Sequence, residues 1–318
     1  MHLAVSLNIA SVAGQSGLTF GETAGFVREA EAAGIDMVVI SDAPGSGERS
    51  SSPFEATTLV AALATVTDRI GLVASASTLA HQPYNLARRF ASLDIISHGR
   101  IGWNATMAQN PREAANFSRP EGFSDDDFRR RAAEYIDIVR GLWRGWDADA
   151  LLFDKAGGRF HDPEQMHLLD HRGEFFSVRG PLNVARSPQD APLLVMSGLV
   201  EADLDFAARV ADVVVIHDQQ PEAATADLKR RAAAAGRKIE ALKTLAAIDA
   251  GPVLAHRIEA VRSGGCYGAL INLPAHISAI KDFSDRILPE LNRLGVLHTA
   301  YRTETLRERL GLGAGGTK

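Results

Sequence analysis

Eight short apolar runs, separated by segments with helical periodicity, limit the folds open to this chain of 318 residues. Apolar, β-branched runs between helices are typical of parallel strands that helices cover on both faces. Eight strand–helix units predict a fold of the α/β class, a closed (β/α)8 TIM barrel. The predicted strands cover residues 3–9, 35–41, 69–77, 100–106, 192–197, 212–217, 242–248 and 267–273.

Helical patterns follow the first three strands, and one more lies beyond the fourth. Gly34 suits the end of the first helix, and Ser52 with Pro53 suits the start of the second. Ser124 and Asp127 resemble a capping box at the start of the fourth. The spacing of apolar residues predicts helices over 21–34, 52–68, 82–99 and 124–143.

The alternation stops between the fourth and fifth strands. Residues 107–191 therefore predict an insertion after strand four, inside a single domain that spans 1–318. A doubly wound open sheet is the alternative fold. No G-x-G-x-x-G motif follows the first strand, so the fingerprint of a dinucleotide-binding sheet is absent.

The composition argues against several classes of protein. Hydrophobic residues make up 46% of the chain, the net charge is −5, and Lys and Arg are dispersed, so a nucleic-acid partner is not expected. Apolar stretches stay shorter than the roughly 18 residues of a membrane span. A single cysteine, and a start without a basic signal region, predict a cytoplasmic protein.

Polar residues at the carboxyl ends of the predicted strands are the candidates for a functional site. Active groups of a TIM barrel lie at this end, although each residue alone is compatible with an ordinary loop or cap. The candidates are Asp42, Ser75, Ser77, His81, Trp103, Asn104, Ser197, Gly198, His217, Asp218 and Asn272.

Two other groups are weaker candidates. His161, His167 and His171 lie close together in the insertion, but their spacing is not H-E-x-x-H and no cysteine joins them. Surface or packing histidines are therefore favoured, and no metal is predicted. Cys266 precedes the eighth strand, at the barrel end opposite the expected active site, which disfavours a nucleophile.

Three long blocks resemble one protein family over nearly the whole chain. They read PYNLARRFASLDIISHGRIGWNAT (83–106), EFFSVRGPLNVARSPQDAPLLVMSG (174–198) and ILPELNRLGVLHTAYRTETLRERLGL (287–312). The chain resembles the bacterial-luciferase-like flavin-dependent monooxygenases. Within them it is similar to the branch of the nitrilotriacetate, pristinamycin-synthase and dibenzothiophene-sulfone monooxygenases. It is shorter than typical members, mainly between the sixth strand and the tail.

The resemblance implies a barrel that takes reduced FMN from a separate flavin reductase and oxygenates a small organic substrate. It also implies a homodimer. Asp42 and Ser75 stand where the family contacts the flavin, and Asn104 belongs to the family's Gly-Trp-Asn motif. The catalytic residues stay unknown. Where the family has a His and, four residues later, a Tyr, this chain offers Ser124 with Phe128 or Asp125 with Arg129, and neither pair replaces them.

The turn after the fifth strand departs most from the family pattern. There the family reads roughly Ala-Gly-Ser-Ser-x-x-Gly and holds the FMN phosphate, which makes Ser197 and Gly198 the candidates for that role. Leu199 and Val200 replace the two serines, and Asp203 replaces the later glycine. Two hydroxyl donors are therefore missing from the expected phosphate site.

The charge of this turn keeps three functions open. Glu201 and Asp203 suit a helix N-terminus without any ligand, but they repel a phosphate dianion. Arg129 or Arg130, on the predicted 124–143 helix, is the candidate cation to balance them. The main prediction is an FMN-dependent monooxygenase. The alternatives are a deazaflavin-dependent oxidoreductase and a non-catalytic accessory paralogue with a degraded flavin site.

Overall fold

The computed structural model describes residues 1–10, 18–42, 52–117, 121–217, 220–297 and 305–313. Within these ranges, eight parallel strands close into a barrel with helices around it, which confirms the predicted TIM barrel and excludes the open sheet. The strands in chain order are β1 (His2–Asn8), β2 (Met37–Ser41), β3 (Gly71–Ser77), β4 (Ile101–Thr106), β5 (Leu151–Asp154), β6 (Arg159–His161), β7 (His171–Arg172), β8 (Ser177–Val178), β9 (Leu193–Met196), β10 (Val213–Ile216), β11 (Lys243–Asp249) and β12 (Gly268–Asn272).

The barrel strands follow the order in which they occur in the chain. They run β1, β2, β3, β4, β9, β10, β11 and β12 around the circumference, and β12 pairs with β1 to close the ring. Each strand lies within two residues of its predicted bounds. All the carboxyl ends therefore meet at one mouth of the barrel.

Helices cover the outside of the barrel, and α9 continues into α10 through a π-helical turn. None of the helices in the described residues is long and apolar enough to cross a membrane. The α-helices are α1 (Phe20–Ala32), α2 (Ala56–Ala64), α3 (Pro83–Ile96), α4 (Pro111–Ala114), α5 (Asp125–Trp143), α6 (Leu204–Val210), α7 (Pro221–Ala234), α8 (Leu254–Ser263), α9 (Ile277–Asp282), α10 (Leu288–Arg293) and α11 (Leu306–Arg309).

Two helix starts show how local chemistry sets the boundaries. Ser124 caps α5 as predicted, because its Oγ accepts the N–H of Asp127 at 3.1 Å. The second helix is shorter than predicted and does not begin at Ser52 and Pro53. Its cap is Glu55, whose carboxylate accepts the N–H groups of Thr57 and Thr58.

The stretch between β4 and β9 forms the predicted insertion. It contains α4, α5, and two small antiparallel pairs, β5–β6 and β7–β8. The helix α5 packs on α3, and Trp103 fills the space between them and the barrel wall. Trp103 is fully buried, contacts Phe90 and Trp143, and donates its Nε1–H to the Ala76 carbonyl at 2.9 Å. This residue supports the core and does not belong to the predicted polar rim.

A second apolar cluster fills the barrel interior. Side chains of the barrel strands, including Val73, Val195 and Leu245, meet Leu306 and Leu310 from the C-terminal segment. Tyr267 Oη donates to the carbonyl of Leu310 at 2.6 Å and holds that segment in place. The amino end of the barrel is thus closed by the chain's own tail, which leaves the opposite mouth for a ligand.

Candidate active site

A cavity of about 820 Å³ opens at the carboxyl ends of the barrel strands. Its inner wall is apolar, with contributions from Leu7, Val39, Val215 and Leu270. Its volume and its mixture of apolar wall and few polar groups are typical of small-molecule sites. The predicted rim residues that line it are Asp42, Ser75, Ser77, His81, Asn104, Ser197, His217 and Asn272.

Three of the predicted cofactor residues form one hydrogen-bonded chain. The side-chain amide of Asn104 donates to Ser75 Oγ at 2.9 Å, and its carbonyl oxygen accepts from Ser197 Oγ at 3.0 Å. The strand register sets this chain up, because Ser75 on β3 lies directly beside Asn104 on β4. Asn104 is only 5% exposed, so its orientation is fixed by these two bonds. The three polar tips form one preorganised edge of the cavity.

Asp42 combines a place in the cavity with a structural role. Its Oδ2 accepts the N–H of Ala56, the first residue of α2, at 2.9 Å. Burial raises the pKa of Asp42, and the negative charge of Glu55 adds to that effect. His81 lines the same wall, and burial, helped by the positive charge of Arg89, lowers its pKa. This wall therefore disfavours ionisation of both groups.

Glu113, on α4, belongs to the cavity but was not predicted. Its Oε2 accepts the hydroxyl of Ser77 at 2.7 Å. Burial raises the pKa of Glu113, with a further contribution from the charge of Asp42. The irregular sequence around this residue carries no periodicity that would have pointed to it. Its only sequence signal is a lone acid soon after the Gly-Trp-Asn strand.

A second hydrogen-bonded group borders the other side of the mouth. Ser6 Oγ donates to Asn272 Oδ1 at 2.8 Å, and Asn272 Nδ2 donates to Asp249 Oδ1 at 2.7 Å. A neighbouring cavity of about 1240 Å³ lies between α7 and α8 and shares His217 and Asn272 with the first. Arg257 of α8 lines this neighbouring space.

Gly198 is not among the residues that line the cavity. Gly198 follows β9 with a φ of +65°, but Ser197 is the last residue of this turn that lines the cavity. Asp218 lies outside the described residues. Of the residues predicted to stand in place of the family's His and Tyr, Ser124 caps α5, and Phe128 is buried against Phe123.

The acidic turn after β9 satisfies its own charges. The Asp203 carboxylate accepts the N–H of Val200 at 3.0 Å and lies 3.3 Å from Arg129 Nε. Glu201 pairs with Arg231 of α7. Arg129 is thus the one of the two candidate arginines that meets this turn, since Arg130 pairs with Asp127 and Glu174 instead.

The histidines of the insertion have separate partners. His167 bonds to Asp147 at 3.0 Å, and His171 bonds to Glu134 at 2.9 Å. His161 packs edge-on against Trp146. Among the described residues, no group of three His, Cys, Asp or Glu side chains is arranged to hold a metal ion.

Cys266 lies just before β12, at the barrel end away from the cavity, as the sequence indicates. Its Sγ is within 3.2 Å of Thr225 Oγ1. Burial raises the pKa of this thiol, which disfavours the thiolate that a nucleophile needs.

Comparisons with known proteins agree with this architecture. The family model of luciferase-like monooxygenases matches residues 1–306. The N-acetyl-S-(2-succino)cysteine monooxygenase of Bacillus subtilis (strain 168) is 38% identical over 243 residues, 74% of this chain and 55% of that protein. Nitrilotriacetate monooxygenase component A of Aminobacter aminovorans is 44% identical over 201 residues, 62% of this chain and 44% of that protein. The chain thus spans about half the length of these relatives.

For one further relative and one solved structure, the match to this chain covers a larger share of the other protein. A subunit of the pristinamycin IIA synthase of Streptomyces pristinaespiralis is 41% identical over 208 residues, 64% of this chain and 69% of that protein. A riboflavin lyase, solved with modified FMN and its substrate riboflavin, superposes with a TM-score of 0.88 at 25% identity and covers 98% of this chain and 96% of that one. The extent of the family match establishes what the sequence resemblance predicts: the chain belongs to the luciferase-like monooxygenase family.

Proposed function

We propose that this protein is a flavin-dependent monooxygenase that receives a reduced flavin from a separate reductase and oxygenates a small organic substrate. The observation that carries the proposal is the Ser75–Asn104–Ser197 chain at the mouth of a luciferase-like barrel. Reduced FMN is the cofactor that the family resemblance implies. The separate reductase is supported by nitrilotriacetate monooxygenase, whose name describes it as one component.

The cavity residues fit the ring system of a flavin. The isoalloxazine ring is flat and largely apolar, with polar atoms along one edge, and this cavity pairs an apolar wall with one preorganised polar edge. Asn104 and Ser197 would hold that polar edge, and Asp42 lies on the neighbouring wall. Reduced flavin supplies the oxygen-activating chemistry when bound. The protein's own part is to orient the ring and to exclude water.

Glu113 and Ser77 would hold a proton at the cavity wall. A protonated carboxyl can donate a hydrogen bond where an ionised one can only accept. The hydroxyl of Ser77 stays bonded to Glu113 Oε2 and orients it toward the cavity that both residues line. This pair is the candidate proton donor in a chain that lacks the family's His and Tyr.

An accessory role beside a second barrel is the other candidate function. Two different subunits of pristinamycin IIA synthase are relatives of this chain, each at 41% identity. The chain covers 69% of one of them and 44% of the other. Sedimentation equilibrium of the purified chain separates this role from the predicted homodimer.

Anaerobic calorimetric titration with photoreduced FMN and riboflavin tests the main proposal. The expected result is binding of at least one of the two flavins with a dissociation constant of about 10 μM or tighter. Binding of neither, up to about 1 mM flavin, would overturn the proposal. A chain that binds flavin only after a second luciferase-like protein is added would support the accessory function instead.

A further inference from the structure

The turn after β9 is occupied by its own carboxylate. Asp203 is 4% exposed, and its Oδ2 accepts the N–H of Val200 at 3.0 Å. Arg129 reaches in from α5, with its Nε 3.3 Å from Asp203 Oδ1. Backbone N–H groups and guanidinium groups commonly bind phosphate in proteins. The Asp203 carboxylate therefore occupies the place of a phosphate, and it contacts both the Val200 N–H and the Arg129 guanidinium.

Arg129 and Arg231, the two arginines paired with carboxylates of this turn, are each shared among several carboxylates. Arg129 is shared between Asp203 and Asp126, the latter at 3.1 Å. On the other side, Arg231 is shared by Glu201, Asp205 and Asp227. Carboxylates therefore outnumber guanidiniums on both sides of the turn. A phosphate dianion placed here would meet like charges that are already paired.

The cavity also ends before the turn. Ser197 lines the cavity, but its hydroxyl donates to Asn104 as part of the Ser75–Asn104–Ser197 chain. Val200, next to Asp203, has an apolar side chain that is 52% exposed and supplies no hydroxyl donor. The hydrogen bonds of the Ser75–Asn104–Ser197 chain are thus complete, and the Asp203 carboxylate fills the expected phosphate position.

We propose that the cavity binds a flavin that lacks the 5′-phosphate in preference to FMN, because the Asp203 carboxylate and its partner Arg129 close the anion position. This inference rests on the proposed function, since it assumes that a flavin ring enters the cavity. Its ligand class is an isoalloxazine with an uncharged polyol chain, and riboflavin is the probe. Under this inference, Ser197 acts as a hydrogen-bond partner of Asn104, and Gly198 binds no phosphate.

Parallel titrations of the wild-type protein with riboflavin and FMN test the inference. Riboflavin is expected to bind at least about tenfold more tightly than FMN, which corresponds to about 1.4 kcal/mol. Raising the salt concentration from about 0.05 M to 0.5 M should narrow that ratio, because salt screens the repulsion that FMN meets. Equal affinities, or tighter FMN binding, would overturn the inference while leaving the flavin-binding proposal intact. Binding of neither flavin would overturn the proposed function itself.

The variant Asp203→Asn locates the effect. It keeps an oxygen for the Val200 N–H but removes the charge, so FMN binding should tighten about tenfold while riboflavin binding changes less than about twofold. Asp205→Asn is the matched control, because it removes the same charge from an exposed carboxylate in the first turn of α6. An equal gain in the control would assign the preference to general charge and overturn the role of Asp203. If Asp203→Asn fails to fold, the test is the wild-type ratio of riboflavin to FMN affinity. A ratio that does not narrow as the salt concentration rises would overturn the role of Asp203.

Discussion

Arg307 and Asp212 form a two-pronged ion pair, with N–O distances of 2.6 and 3.1 Å. Arg307 lies on α11 and is only 7% exposed, and Asp212 immediately precedes β10. Burial alone would raise the pKa of Asp212, but the charge and hydrogen bonds of Arg307, together with the Leu194 N–H and the charge of Arg237, outweigh it and hold that pKa below its usual value. The pair ties the C-terminal segment to the closed end of the barrel.

Replacing Arg307 by Met should destabilise the fold strongly. It leaves the Asp212 carboxylate without its main partner, and breaking such a buried pair costs about 3 kcal/mol of unfolding free energy. Urea denaturation measures the loss. Arg293→Met is the matched control, because Arg293 is 68% exposed in its pair with Glu290 and should lose less than about 1 kcal/mol. Equal losses in the two variants would contradict the role given to Arg307.

The same pair sets the sign of a pH effect. Because the folded pKa of Asp212 is lowered, its contribution to stability is complete above the unfolded value of about 3.9 and is lost as the pH falls through the folded value. The difference in unfolding free energy between the wild type and Arg307→Met should therefore shrink in acid. A difference that stays constant from neutral pH to strong acid would count against this assignment.

Replacing Asn104 by Ala should weaken flavin binding without unfolding the protein. The substitution removes the group that joins Ser75 to Ser197, and a lost polar contact of this kind costs about 1–3 kcal/mol, or roughly ten- to a hundredfold in affinity. Fluorescence titration with riboflavin measures the effect. Asn292→Ala, at an exposed site on α10, is the control and should bind as the wild type does. An unchanged affinity in Asn104→Ala would move the flavin away from this edge.

Replacing Glu113 by Gln should change how stability depends on pH. Burial raises the folded pKa of Glu113, so the protein loses stability as the pH rises from the unfolded value through the folded one. Glu113→Gln removes that loss and should be more stable relative to the wild type at pH 8 than at pH 4. Thermal melting at both pH values measures this, with the exposed Glu164→Gln as control. A difference between the wild type and Glu113→Gln that does not vary with pH would refute the prediction.

Replacing Trp103 by Ala should cost about 3–5 kcal/mol of unfolding free energy. The indole is fully buried against Phe90, Tyr135 and Trp143, so its loss leaves a cavity between the barrel and α5. Trp103→Phe should cost less, because it keeps most of the apolar volume and loses the hydrogen bond to Ala76. Equal losses for the two variants in urea denaturation would show that the hydrogen bond, not the packing, dominates.

The fold could be predicted because periodicity is local. Each barrel strand was visible as a short apolar run, and the boundaries that were missed depend on contacts between neighbouring elements. The second strand begins at Met37, two residues later than predicted, because the Ile35 N–H remains bonded to the Ala30 carbonyl of α1. The second helix begins late because Asp42 bonds to the N–H of Ala56 and Glu55 caps the next turn.

The site could be predicted only in part. Asp42 and Ser197 follow barrel strands, and Ser75 and Asn104 lie near the carboxyl ends of theirs, so the barrel rule brings all four to one mouth. The partnership of Glu113 with Ser77 escaped prediction because an irregular insertion carries one of the two.

The pairing of Asp203 with Arg129 in the turn after β9 could not be predicted from the sequence either. Arg129 and Asp203 are far apart in the chain, and either Arg129 or Arg130 was compatible with the sequence. Only the packing of α5 beside the turn brings Arg129 to 3.3 Å from the Asp203 carboxylate.

A crystal structure of the protein saturated with riboflavin tests the central claim most directly. The predicted result is an isoalloxazine ring in the cavity at the barrel mouth, with polar ring atoms within about 3.2 Å of Asn104 or Ser197. In the same crystal, the Asp203 carboxylate should still bond to the Val200 N–H. A ring bound in the neighbouring space beside Arg257, or no ring density at saturating riboflavin, would contradict the account.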